Sequence, residues 1–182
     1  RPQSQRVIPP SARVLAAIRN RGAGGSAADF QRWAAEALPG LLVKAFSPGI
    51  GLVTVVFAIP DGNTWRVPTS PEIAAVAVYL NDSGARKPLG APVADVIAAT
   101  LTPVDFSIHL NPDTVATRAA AVNALTLQIL ADAAIGGTLY MSRMDAALEN
   151  ASGEYSHERA APTADAVAGP AALLTIGTVS FT

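Results

Sequence analysis

Cysteine is absent from the 182 residues, and histidine occurs only at His109 and His157. The first absence removes disulfide frameworks, thiolate nucleophiles and cysteine zinc sites. The second leaves two imidazoles for any base or metal chemistry. Charged residues make up 15% and aromatic residues 5%, with a formal net charge of −1. That balance lacks the basic excess with which general nucleic-acid binders displace counterions. A chain that is 50% hydrophobic and so weakly charged is also not disordered in composition. The longest apolar run, Ile50 to Ile59, reaches about half the 20 residues of a membrane-spanning helix. The polar, proline-rich opening shows no secretory signal pattern. What is abundant is small: 37 Ala, 14 Gly and 14 Pro. A chain this long forms one domain or two small ones and can bury roughly 70% of its unfolded surface.

Residues 1–10 read as an arm or linker, because Pro9-Pro10 forbids helix entry before Ser11. A short helix is predicted from Ser11 to about Asn20, broken by Gly22-Ala-Gly-Gly. The next begins at the N-cap Ser26 with Asp29 three residues on, and Phe30, Trp33, Ala34 and Ala37 form its buried stripe. Pro39-Gly40 ends it. Leu41–Phe46 and Gly51–Ile59 read as a β-hairpin, followed by a loop from Pro60 to Pro68 with Asp61-Gly-Asn as its turn. Ser70, Pro71 and Glu72 start a third helix with the stripe Ile73, Val76, Ala77 and Leu80, stopped by Gly84. Arg86–Pro92 reads as an exposed connection.

A strand is predicted from Val93 to Leu101, interrupted at Pro103 before a second one. In that second strand Val104, Phe106, Ile108 and Leu110 face one way and Asp105, Ser107 and His109 the other. Asn111-Pro112 opens the longest predicted helix, Asp113 to about Ala134, with the stripe Val115, Val122, Leu125, Ile129 and Leu130, lying across a sheet. Ser142 with Asp145 repeats the Ser26/Asp29 helix start. A strand from Glu154 to Arg159, a loop from Ala160 to Ala172 and a closing strand from Leu173 to Thr182 complete the chain. A capped helix followed by two strands thus occurs twice, which suggests two small related units.

Each candidate chemistry has a simpler competitor. Asp105, Ser107 and His109 have the composition of a triad, but residues two apart on a strand lie roughly 7 Å from one another. A nucleophile and its base need about 3 Å, so an ordinary polar sheet face is the better reading. His157, beside Glu154, Tyr155, Ser156 and Glu158, reads as a solvated strand edge rather than a metal patch. Gly22-x-Gly24-x-x-Ala27 follows a helix, not the strand a dinucleotide fingerprint requires, and reads as linker glycine. Gly49-x-Gly51 is a hairpin turn. Arg1, Arg6, Arg13, Arg19, Arg21 and Arg32 face only Asp29 and Glu36 in the first 36 residues. With no interleaved aromatics, they read as a docking surface or a solvated arm rather than a nucleic-acid site. The sequons Asn81-Asp-Ser and Asn150-Ala-Ser find no support in a chain without signs of secretion.

The segments Ser11-Ala-Arg-Val-Leu-Ala-Ala-Ile-Arg, Gly24-Gly-Ser-Ala-Ala-Asp-Phe-Gln-Arg-Trp-Ala and Ser70-Pro-Glu-Ile-Ala-Ala-Val-Ala-Val-Tyr-Leu come in a telling order. So do Thr102-Pro-Val-Asp-Phe, Gly136-Gly-Thr-Leu-Tyr-Met-Ser-Arg-Met and the ending Ile176-Gly-Thr-Val-Ser-Phe-Thr. Over residues 11–182 this succession resembles the middle and C-terminal regions of baseplate J-like proteins of contractile phage tails. Members usually carry a barrel-like region ahead of these segments, so a chain opening at Arg1 is expected to be a fragment. They also tend to turn more sharply where this chain has the Asp61–Pro68 loop.

The resemblance implies a structural, non-enzymatic component of a baseplate wedge in a phage, prophage or tailocin particle. Its implied partners are other wedge proteins and further copies in a ring, with no nucleic acid, membrane or small-molecule substrate. It implies no catalytic, cofactor or metal residues. The particle's tail baseplate, put together in the bacterial host cytoplasm, is the implied location. Residues and resemblance together lead us to expect an α+β protein of two small modules, 11–101 and 102–182, with helices packed on mainly antiparallel sheets. Two other readings compete: a small-molecule or peptide-binding module of ferredoxin-like topology, and a hydrolase using His109. Trp65 is a candidate contact point or a partly buried loop anchor.

Overall fold

The computed structural model describes residues 25–49, 52–82, 94–153 and 156–182. The Ser11–Asn20 helix, Gly22 to Gly24, the Gly84 stop and the Arg86–Pro92 connection lie outside them. Helix α1 (Ala27–Ala37) starts as predicted: the Asp29 backbone N–H donates to Ser26 Oγ, and the Asp29 carboxylate accepts from the Ser26 N–H and hydroxyl. Phe30 and Trp33 meet edge to face, with ring centroids 5.2 Å apart, on the buried side of this helix.

Strands β1 (Leu42–Phe46) and β2 (Val53–Asp61) form the expected hairpin. β2 is buried without a break from Thr54 to Ala58 because it has a core on each face. Val55 and Phe57 pack with α1 and α2 (Ser70–Asn81), while Val56 and Ala58 point into a different cluster.

The predicted Pro60–Pro68 loop is instead the end of β2, a turn at Gly62-Asn63 and strand β3 (Thr64–Arg66), paired Pro60↔Trp65. Pro60 is tolerated because β2 has lost its β1 and β4 partners by that point, leaving an edge where a missing N–H costs nothing. α2 is capped one residue earlier than Ser70, by Thr69, whose N–H and hydroxyl both donate to Glu72. β4 (Ala94–Ala98) returns parallel to β2.

The chain changes sheets at Ala99. The Ala99 N–H donates to the Phe57 carbonyl of the first sheet at 2.9 Å. The next N–H, of Thr100, donates to the Ala171 carbonyl beside the second sheet at 3.0 Å. β5 (Thr100–Asn111) therefore begins before Pro103 and runs through it. There β5 pairs with β9 (Ala172–Phe181) alone, and β7 (Ser156–Ala161) joins only from Ser107 onward. Pro103 thus sits at a free edge. The alternation from Val104 to Leu110 is as expected.

Helices α3 (Val115–Ala131) and α4 (Met141–Glu149) cover one face of this second sheet, whose order is β7-β5-β9. α3 begins two residues after Asp113, capped by Thr114 and Thr117, because Asp113 is engaged by Arg118. Val115 lies 86% exposed, off the buried stripe of Thr117, Ala121, Leu125 and Ile129. Ser142 and Asp145 do not cap α4. Its first N–H, of Met141, donates to Asp165 from 24 residues away, next to the short pair β6 (Thr138–Leu139) and β8 (Ala166–Val167). The architecture is α+β as expected, and both sheets are mixed, each with one parallel pair.

A third cluster of Val56, Ala58, Ala99, Ile135 and Leu173 lies between the sheets, with Trp65 packed against it. Gly136, at φ +65°, closes the same junction, where an added Cβ would meet Lys44 Nζ and come within 3.2 Å of the Pro170 carbonyl. Leu173 is fully buried there. Leu173→Ala should cost about 2–5 kcal/mol, read as a lower urea midpoint with both sheets unfolding together.

Candidate functional site

Two of the polar strand residues singled out above, Asp105 and His109, are tied to β9 and the residue that follows it. His109 Nδ1 lies 2.5 Å from the Thr182 carbonyl, and the Asp105 carboxylate accepts the Thr178 N–H at 2.7 Å. An added Cβ at Gly177 would strike that carboxylate and the Val104 carbonyl, so Asp105 and Gly177 together shape the bulge between β5 and β9. Among the described residues no hydrogen bond joins Ser107 to His109. These side chains staple two strands together.

His157 and its neighbours face α4 differently. Arg159 grips Asp145 with two bonds, at 2.6 and 2.9 Å, and also donates to the Pro162 carbonyl. The Arg159 hydrogen bonds hold the Asp145 carboxyl below the usual carboxylate range. Asp145, expected at a helix start, thus anchors β7 to α4. Among the described residues no group of three or more His, Asp or Glu side chains is placed to hold a metal ion.

Every described arginine is engaged in the same way: Arg32 with Asp29, Arg66 with Glu72, Arg118 with Asp113 and Arg143 with Asp132. Of the predicted basic face only Arg32 is among the described residues. Asn81, read as half of an idle sequon, ties α2 to β4: it accepts the Ala94 N–H at 2.8 Å and donates to the Ala94 and Ala77 carbonyls. Asn150 donates to the Ala146 carbonyl. Sequence reasoning missed both roles; the Ala94 bonds of Asn81 depend on the packing of a distant segment, whereas the Asn150 bond is local to its helix.

Trp65 is half-buried, an anchor rather than an exposed contact. Its ring packs between the β2–β3 hairpin and the second unit, and its Nε1 is buried with no hydrogen-bond partner. The crevice it shares with Thr126, Ile129 and Ile176 has a volume of about 10 Å³, as has another beside Asp132 and Leu139. Small-molecule sites occupy roughly 300–1,000 Å³, so these crevices have room for water and no more.

The described surface offers helix faces instead. On α3, Ala116, Ala119, Asn123, Leu127 and Ala131 are exposed, and no charge interrupts the helix after Arg118. On α2, Ala74, Ala75 and Val78 are exposed, Val78 by 75%. No described helix is long and apolar enough to cross a membrane.

Residues 22–98 match the family model described as the baseplate J-like central domain, and residues 104–182 match the baseplate J-like protein C-terminal domain. The chain belongs to the baseplate J-like family. It is 31% identical over 163 residues to the Escherichia coli protein JayE, covering 87% of this chain and 60% of that one. It is 34% identical over 164 residues to the Mu-like prophage FluMu protein gp47 of Haemophilus influenzae, covering 85% of this chain and 45% of that protein. The chain therefore spans about half the length of these relatives. Family membership makes it a structural protein of the phage tail baseplate class.

Two outcomes check the site. Trp65→Phe keeps a smaller aromatic ring and removes the orphaned N–H with the rest of the indole, so its melting temperature should fall far less than that of Trp65→Ala, which loses about 3 kcal/mol. The Arg66 hydrogen bonds, aided by Thr69, lower Glu72 to about 2. A depressed carboxyl stabilises the fold above its unfolded pKa and ceases to as pH falls through its folded one. The parent should therefore lose stability between about pH 4.5 and 2, and Glu72→Gln should flatten that loss in acid titrations followed by circular dichroism.

Proposed function

We propose that the chain is a wedge component of a contractile tail baseplate and works through protein–protein contacts, not catalysis. The observation that carries this reading is the pair of baseplate J-like segments bound into one body by a shared core. Such a body holds docking surfaces at a set distance and angle. Uncharged, alanine-rich helix faces on both sides suit the role, because they allow close approach without stripping water from ions.

On this reading the modules 11–101 and 102–182 contact different neighbours, which are other wedge proteins and further copies in a ring. Assembly takes place in the bacterial host cytoplasm and ends in the tail baseplate. The commitment of Asp105 and His109 to β9 supports a non-enzymatic role.

Co-expression with the tail proteins encoded beside it is the test. The chain should co-purify with at least one of them. Val78→Lys or Leu127→Lys should weaken that complex at least about tenfold, and His109→Ala should leave it intact. Failure to bind any tail protein, together with a turnover abolished by His109→Ala, would sink the proposal.

A further inference from the structure

β9 is an outer strand of its sheet, and among the described residues no strand pairs with its other side. Its backbone groups alternate in direction. The Thr182 N–H donates to the Ile108 carbonyl at 3.1 Å and the Thr178 N–H to the Asp105 carboxylate, both toward β5. Successive peptide groups of a strand point opposite ways, so the N–H groups of Val179 and Phe181 point to the open side. Nearer its start β9 is occupied: the Ala172 carbonyl accepts the Gly136 N–H, and Thr175 and Ile176 line the Trp65 crevice. The open stretch is residues 177–181.

The two edges of this sheet differ in their defence against pairing. β7 carries His157, Glu158 and Arg159. β9 has no charged residue and no proline from Ala172 to Thr182, whereas natural edges are usually blunted by one or the other. Its bulge lies at the upstream end of the open stretch. An uncharged edge is also compatible with itself. An antiparallel pair of β9 strands opposes no like charges and sets Thr178, Val179, Ser180 and Phe181 among one another, where hydroxyl and apolar pairs favour strand association. A two-fold axis generates that contact from a single patch.

We propose that the open edge of β9 is a strand-addition site whose occupant is β9 of a second copy of this chain, the two running antiparallel over residues 177–181. The two three-stranded sheets then become one continuous sheet across the two-fold. The inference deepens the assembly reading above by naming one copy-to-copy contact.

Amide hydrogen exchange and sedimentation equilibrium on the 182-residue chain, across a concentration series, test it. The Val179 and Phe181 amides should exchange at least about tenfold more slowly as dimer accumulates, while Thr178 and Thr182 stay protected throughout. Val179→Pro removes an outward N–H and should lower the association constant at least about tenfold. Thr178→Lys keeps every backbone bond and brings like charges together, so it should do the same, with a melting temperature equal to the parent's at concentrations where the parent is monomeric. Exchange at Val179 and Phe181 that ignores concentration, a monomer throughout, or a dimer indifferent to both variants would overturn the proposal. Capture of neighbouring tail proteins separates the two ideas: it survives if only the β9 contact is wrong, and fails with β9 pairing intact if only the assembly reading is.

Discussion

The structure depends on a single junction of packed side chains and two consecutive peptide groups. At Ala99 the chain leaves one sheet and enters the other, its N–H on Phe57 and the next on Ala171. Val56 and Ala58 press on this point from the first unit, Ile135 and Leu173 from the second, and each is at most 5% exposed. A linker between independent modules would leave such groups in water. Here they are packed out of water, so neither sheet can tilt without opening apolar surface, at about 25 cal/mol for each Å² exposed.

Other features follow from that constraint. β2 must be apolar on both faces, which explains its unbroken run of buried residues from Thr54 to Ala58. The β2–β3 hairpin is drawn across the junction until Trp65 touches the second unit, at the expense of an indole N–H without an acceptor. Lys44, on the edge strand β1, approaches Gly136. Polar groups elsewhere are spent on fastening elements: Asp105 and His109 on β9, Asp145 and Arg159 between α4 and β7, Asn81 between α2 and β4. Alanine is the commonest exposed residue on the described helices, and the uncharged faces of α2 and α3 suit a surface held by neighbours.

Local features were legible in the sequence. Ser26 with Asp29, the Phe30/Trp33 stripe and the alternation from Val104 to Leu110 depend on residues a few positions apart, and the structure repeats them. The β1–β2 hairpin needs only a turn. Features set by distant partners were not legible. Pro60 and Pro103 read as strand breakers until the topology shows that each lies where its strand has lost a neighbour. The α4 cap comes from Asp165, which no local pattern could assign. Both parallel pairings bring together segments with a helix or a long stretch of chain between them. His109 and His157 lie on strands, β5 and β7, as the sequence suggested, but the Thr182 partner of His109 required the fold. The family was legible because it lies in the order of short segments, each weak alone.

The central claim is that two baseplate J-like segments form one cooperative body through the core around Ala99, Ile135 and Leu173. Differential scanning calorimetry of the 182-residue chain tests it most directly. The account predicts a single transition whose calorimetric and van't Hoff enthalpies agree, the signature of all-or-none unfolding. Two resolved transitions, with one sheet melting while the other keeps its native signal, would contradict it.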